Sequence, residues 1–96
     1  LVIVTSEQYC DTGNGASSYS SFAVSGATTI AAADSRALRF RNVPDPNIQS
    51  GAQVFRGSMA SVVTLTAGSN TFTAKYRTST GSSYFSNRQI IVINLA

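Results

Sequence analysis

The feature that most constrains the fold is an alternation of apolar and polar residues that recurs along the chain, with no helical repeat longer than a few residues. Successive side chains of a strand point to opposite faces, so a period of two indicates a strand with one buried face. Ser and Thr fill most polar positions and only 11% of residues are charged, which suits strands and turns. The sequence therefore predicts an all-β protein. The alternation assigns to the core Phe22, Val24, Leu38, Phe40, Phe72, Ala74 and Tyr76.

Roughly seven or eight short, evenly spaced strands are predicted. They cover residues 1–9, 20–26, 28–33, 36–43, 52–66, 71–79 and 84–95, and the stretch 52–66 is one strand or two with a bulge near Gly57. A Gly-rich turn is expected at 10–17 and a loop at 44–51, which holds both prolines. The pattern favours a single domain over residues 1–96, an antiparallel β-sandwich or jelly roll. Because the chain starts at Leu1 and its only Met is Met59, we expect a processed product or the ordered, C-terminal part of a longer chain.

The two ends of the chain depart from the alternation. The opening run LVIV and the closing run IIVI are apolar on both faces of their strands, so a second surface must cover each of them. In jelly rolls the first and last strands commonly lie side by side, which would merge the runs into one outer apolar patch. Monomers rarely expose a large patch of this kind. We therefore expect another copy of the chain to cover it, and the alternative is cover by the chain's own Pro-bearing loop.

The predicted subunit interface follows from the alternation within the last strand. Without a bulge, one face carries Phe85, Ile91, Ile93 and Leu95, which we assign to the core because it holds the larger apolar total. The other face then meets neighbouring subunits. With the first strand, this gives a predicted interface of Leu1, Ile3, Tyr84, Ile90 and Val92. Arg88, just before the apolar run, is expected to meet a carboxylate or backbone carbonyls, or else to face solvent at the rim.

Several kinds of chemistry have no support in the sequence. The chain contains no His, which excludes Ser-His-Asp and Cys-His catalytic arrangements and most zinc sites. Its four carboxylates, Glu7, Asp11, Asp34 and Asp45, are far apart in sequence, and Asp11 with Asn14 is better explained as a turn than as a calcium site. The single cysteine, Cys10, is expected to be a small buried side chain. We predict a protein that is not an enzyme and needs no metal or cofactor.

The net charge of +3 raises the question of nucleic acid. The seven basic residues form no run, and a binding face would need Arg39, Arg41, Arg56, Lys75, Arg77 and Arg88 on one side. Mild surface basicity is the simpler interpretation, so no nucleic acid partner is predicted. No apolar run approaches the length of a membrane helix, and no membrane partner is predicted either.

About a third of the chain, residues 62–95, resembles the C-terminal half of a jelly-roll module found in tailed-bacteriophage virion proteins and bacterial appendages. The matching motifs are LTAGS at 65–69, TFTAKYR at 71–77, a Gly-bearing hairpin at 81–83 and FSNRQIIVINL at 85–95. This module is similar to the trimeric domains of the tumour necrosis factor and C1q type. The resemblance implies a homotrimer whose end strands face the partners, although the chain is shorter than a typical C1q-like domain and does not match its calcium-binding residues.

Two functions remain as the main expectations. The first is a structural module of a virion or surface appendage, which decorates a capsid or belongs to a tail or head fibre alongside other virion or appendage proteins. The second is a receptor-binding or glycan-binding tip of a fibre, for which the candidate residues are Tyr9, Tyr19 and the loop PDPN. Either function implies that the protein works in a virion or on an extracellular surface.

Overall fold

The computed structural model describes residues 1–10, 15–42 and 54–95, so the predicted Pro-bearing loop and half of the first turn lie outside the described residues. Within these ranges the chain forms strands, one short 3-10 helix and no α-helix. The all-β prediction is confirmed. The strands are β1 (Val2–Cys10), β2 (Ser17–Gly26), β3 (Leu38–Arg41), β4 (Phe55–Ser61), β5 (Asn70–Thr78) and β6 (Ser83–Val92), and the 3-10 helix is Asp34–Arg36.

The strands form two antiparallel sheets, an arrangement consistent with a β-sandwich. Sheet A has the order β4-β1-β6, and sheet B has the order β3-β2-β5. The prediction that the first and last strands lie side by side is confirmed, because β1 pairs with β6 from Val2 opposite Val92 to Cys10 opposite Ser83. The pairing continues beyond the strands, where the Leu1 and Ile93 backbones exchange hydrogen bonds of 2.7 and 2.8 Å.

Apolar side chains fill one half of the space between the sheets. Val2 and Val4 of β1 meet Phe22 and Val24 of β2 there, and all four are almost completely buried. Strict alternation along both strands places these residues on the facing surfaces. The core assignment made from the sequence is confirmed for Phe22, Val24 and Leu38, which are buried. Phe40, Phe72, Ala74 and Tyr76 are only half-buried, but each is less exposed than its neighbours in the strand.

Polar side chains fill the other half of this space. Gln8 of β1 is fully buried and reaches sheet B, where its Nε2 donates to the Ser18 Oγ at 2.9 Å and to the Ser18 carbonyl at 3.2 Å. The Ser6 hydroxyl donates to the Gln8 Oε1 at 2.6 Å. Buried polar groups are tolerated where they are hydrogen-bonded, and this cluster joins the two sheets. The predicted burial of Cys10 is also confirmed.

Two predicted strands differ from the structure. Residues 28–33 form no strand and contribute one isolated bridge, Ile30 with Val24. After this bridge the chain passes over the outer face of sheet B, where the buried Ser21 hydroxyl donates to the carbonyls of Ala33 and Arg36. In the described part of the stretch 52–66, residues 54–66, strand structure is limited to Phe55–Ser61, and residues 62–66 leave sheet A. There the Thr66 amide donates to the Thr28 hydroxyl at 2.7 Å, so a connection between the two sheets replaces the end of the strand.

A bulge lies in β6 rather than near Gly57. The β1/β4 pairing runs without interruption through Ser6 opposite Gly57. In contrast, Thr5 pairs with Gln89 but Glu7 pairs with Ser86, so β6 has one residue more than β1 over this stretch. Asn87 lies in the bulge with φ of 49°, the left-handed region that Asn tolerates better than most residues. Because of this extra residue, side chains of a given parity point to one face of the sheet before the bulge and to the other face after it.

Candidate subunit interface

The outer surface of sheet A carries an apolar patch at one end, formed by the two ends of the chain. Ile3 of β1 lies between Ala60 of β4 and Ile91 of β6, and Leu1 lies beside Ile93. Ile91 and Ile93 are 41% and 44% exposed, and Leu1 and Ile3 are half-buried by their neighbours. We call these five residues, Leu1, Ile3, Ala60, Ile91 and Ile93, the end-strand patch.

The same surface becomes polar and then aromatic with distance from this end. Beyond the patch, Glu7 meets the guanidinium of Arg56, with 3.5 Å between Oε2 and Nε, and accepts a hydrogen bond from Asn87. At the far end the rings of Tyr9 and Tyr84 stack with 4.6 Å between centroids. Tyr84 is half-exposed, so part of the stack is open to solvent. The apolar patch is therefore bounded by polar groups, as protein interfaces usually are.

The structure separates the five predicted interface residues into two groups. Leu1, Ile3 and Tyr84 lie on the outer face of sheet A, as expected. Ile90 and Val92 lie on the inner face, since they pair with the buried Val4 and Val2. The predicted division of the β6 faces is thus wrong beyond the bulge, because the extra residue turns Ile90 inward.

Ile91 correspondingly lies on the outer face, not in the core to which the sequence assigned it. Phe85, before the bulge, keeps its predicted inward direction and packs against Tyr76, with 4.9 Å between ring centroids. The sequence reasoning missed Ala60, Ile91 and Ile93 as members of the patch. The signal that could have identified them is Asn87, a residue type suited to a bulge with positive φ.

An open groove lies between the sheets at the apolar end. Its volume is about 600 Å³, and Val92, although it faces inward, is 46% exposed here. The groove is lined by Leu1, Val2, Val62, Val63, Leu65, Thr66, Ala67, Gly68, Asn70, Phe72, Val92, Ile93, Asn94 and Leu95. Apolar surface at this end of the molecule thus extends from the outer face of sheet A around its edge.

The outer surface of sheet B is basic. Tyr19 of β2 lies between Arg39 of β3 and Arg77 of β5, whose Cζ atoms are 5.6 and 4.1 Å from the ring centroid. Arg41 and Lys75 extend the same face. The remaining two basic residues of the predicted set lie elsewhere: Arg56 is on sheet A, and Arg88 is over the Tyr76 ring at 5.2 Å. The six residues therefore do not share one face.

One ion pair links this basic face to the 3-10 helix. The Arg77 guanidinium donates to both carboxylate oxygens of Asp34, at 3.0 Å from Nε to Oδ1. These hydrogen bonds lower the pKa of Asp34 below its ordinary value, and the carboxylate raises the pKa of Arg77. The pair therefore links Asp34, at the start of the 3-10 helix, to β5 while both groups are ionised.

Within residues 1–10, 15–42 and 54–95, no three Cys, Asp or Glu side chains come together as a potential metal site. The same ranges contain no helix that is long and apolar enough to cross a membrane. The fold defines the chain as an all-β protein of two antiparallel sheets. Comparison with known proteins finds no matching family, no matching curated protein and no matching solved structure.

Proposed function

We propose that this chain is a non-enzymatic structural module that assembles as a homotrimer through the outer face of sheet A. The observation that carries the proposal is the end-strand patch, in which half-buried aliphatic side chains near the N-terminus and exposed ones near the C-terminus form one surface. Burial of aliphatic side chains contributes about 25 cal/mol per Å². A domain of this size gains much from such burial, because its own core is small.

The threefold order and the biological setting rest on the sequence resemblance. Jelly-roll modules of the tumour necrosis factor and C1q type place the sheet with the first and last strands around a threefold axis, and sheet A is the sheet that holds these strands here. The described strand pairing is compatible with such a module but does not by itself specify it. We infer a place in a phage virion or surface appendage, as a capsid decoration or fibre component in contact with other proteins of that assembly.

Light scattering coupled to size exclusion tests the assembly. At micromolar concentration the protein should elute at three times the 10.1 kDa chain mass. Replacing Ile91 with Asp places a charge in the proposed interface and should give monomers, because an unpaired charge is costly to desolvate. The side chain is partly exposed in the single chain, so the substituted subunit should still fold.

The matched control is Thr73→Asp, which introduces the same charge at an exposed position on the outer face of sheet B and should leave the mass unchanged. Far-UV circular dichroism verifies the β structure of both variants. A monomeric parent protein, or an Ile91→Asp protein that still forms trimers, would contradict the proposal. A stable dimer would contradict the threefold order alone.

A further inference from the structure

A shallow cleft lies on the outer face of sheet B, away from the end-strand patch. Its volume is about 420 Å³, within the usual range for small-molecule sites. Tyr19 and Ser21 of β2 line its floor, and Lys75 and Arg77 of β5 form one side. The opposite side is the segment Ala32, Ala33 and Asp34, which leads into the 3-10 helix.

The cleft is held in shape by contacts on both sides. The Ser21 hydroxyl, 5% exposed, donates to the Ala33 carbonyl at 3.2 Å and the Arg36 carbonyl at 3.0 Å, which fixes the segment to β2. The Asp34 pair with Arg77 then joins the segment to β5 across the sheet. A site with fixed walls loses little conformational entropy when it binds a ligand.

The cleft contains both a positively and a negatively charged group, and this combination determines which ligands it can bind. Lys75 supplies a positive charge, and the structure records no carboxylate within ion-pair distance of it among the described residues. Asp34 supplies carboxylate oxygens, which can accept hydrogen bonds from hydroxyl groups. The methyl groups of Ala32 and Ala33 supply a small apolar surface between these charges. A carboxylated sugar presents the complementary set: one negative charge, several hydroxyl donors and an apolar ring face.

Other anionic partners fit less well. Nucleic acid bases would need an open aromatic face, but the Arg77 guanidinium lies 4.1 Å from the Tyr19 ring centroid. A second copy of this chain offers little negative charge, since the sequence has four acidic residues against seven basic ones. We propose that the cleft between β2, β5 and the Ala32–Asp34 segment binds a carboxylated sugar residue, with the sugar carboxylate on Lys75 and its hydroxyls on Asp34.

The proposal is independent of the trimer, because the cleft and the end-strand patch are on different sheets. Isothermal titration calorimetry with trigalacturonic acid, up to millimolar concentration, should give saturable binding. The methyl ester of the same oligosaccharide lacks the charge and should bind at least about tenfold more weakly. Lys75→Gln should weaken the binding of trigalacturonic acid by about tenfold, in line with the loss of one charge-assisted hydrogen bond.

The matched control is Arg56→Gln, which removes the same charge on the outer face of sheet A and should leave the affinity unchanged. Circular dichroism confirms that both variants are folded. A single-stranded oligothymidylate serves as the competing polyanion. Absence of saturable binding, equal affinity for the ester, equal losses in both variants, or tighter binding of the oligothymidylate would each overturn the proposal.

Discussion

The buried amide of Gln8 allows a sharp test of the polar half of the core. Its Nε2 is close to three acceptors of sheet B, namely the Ser18 hydroxyl and the carbonyls of Ser18 and Leu38, at 2.9, 3.2 and 3.4 Å. Replacing Gln8 with Glu keeps the shape but exchanges this donor for a carboxylate oxygen. The hydroxyls of Ser6 and Ser18 can turn to donate to the new carboxylate, whereas the two carbonyls cannot.

The cost of this substitution follows from the charge and should depend on pH. A fully buried carboxylate that faces two carbonyls has a pKa raised above the ordinary value of about 4.3, because burial and the carbonyl oxygens disfavour its charged form. Below the unfolded-state pKa the new carboxyl group of the variant is protonated in both the folded and the unfolded state. The variant is then less stable than the parent by only about 1 kcal/mol, the cost of an imperfect hydrogen bond. Between the two pKa values the penalty grows by about 1.4 kcal/mol per pH unit, and it is constant above the folded-state pKa.

We therefore expect Gln8→Glu to cost about 1 kcal/mol at pH 4 and about 3–4 kcal/mol at pH 7. Urea unfolding followed by far-UV circular dichroism measures both values, which is convenient because the chain has no Trp. Gln89→Glu is the matched control: the same change on an exposed side chain of β6 should cost less than about 0.5 kcal/mol at either pH. A penalty for Gln8→Glu that is equal at pH 4 and pH 7 would refute the buried-amide reasoning.

Two further predictions concern the bulge and the surface ion pair. Ile90→Ala should destabilise the subunit by about 2 kcal/mol at any protein concentration, because it removes methyl groups packed on the core. Ile91→Ala should act mainly on assembly, seen in light scattering as dissociation into monomers at a higher protein concentration than for the parent; the reverse pattern would show that the bulge assignment is wrong. Asp34→Asn should lower stability at pH 7, and its difference from the parent should disappear only as the pH falls below the ordinary pKa of Asp and through the lowered folded-state pKa of Asp34. The lowered pKa of Asp34 means that the pair with Arg77 stabilises the fold above the unfolded-state pKa and is lost as the pH falls through the folded-state pKa. A difference that persists at low pH in urea unfolding would assign the effect to something other than the ion pair.

Much of the fold could be predicted from local patterns in the sequence. Alternation identified the buried positions of β2, including Phe22 and Val24, because side-chain direction in a regular strand depends only on residue parity. The apolar runs at both ends indicated two strands with two covered faces, and the adjacency of β1 and β6 agrees with that interpretation.

The remaining features depend on contacts between distant parts of the chain. Residues 28–33 have the composition of a strand, but they contact β2 only locally, through the Val24–Ile30 bridge and the Ser21 hydroxyl, and no local preference encodes these contacts. The polar half of the core requires Gln8 of one sheet to meet Ser18 of the other, a pairing that becomes visible only when the sheets are assembled.

The candidate interface shows most clearly which features follow from the sequence and which depend on the tertiary structure. The sequence by itself determined that β6 is apolar on both faces, since Ile90, Ile91 and Val92 occupy both parities. Only the tertiary structure decided which of them faces outward. A single extra residue, accommodated by Asn87 with positive φ opposite β1, changes the parity of every side chain that follows it. Such a bulge is stabilised by the neighbouring strand, so the identity of the exposed residues was a property of the β1/β6 pairing.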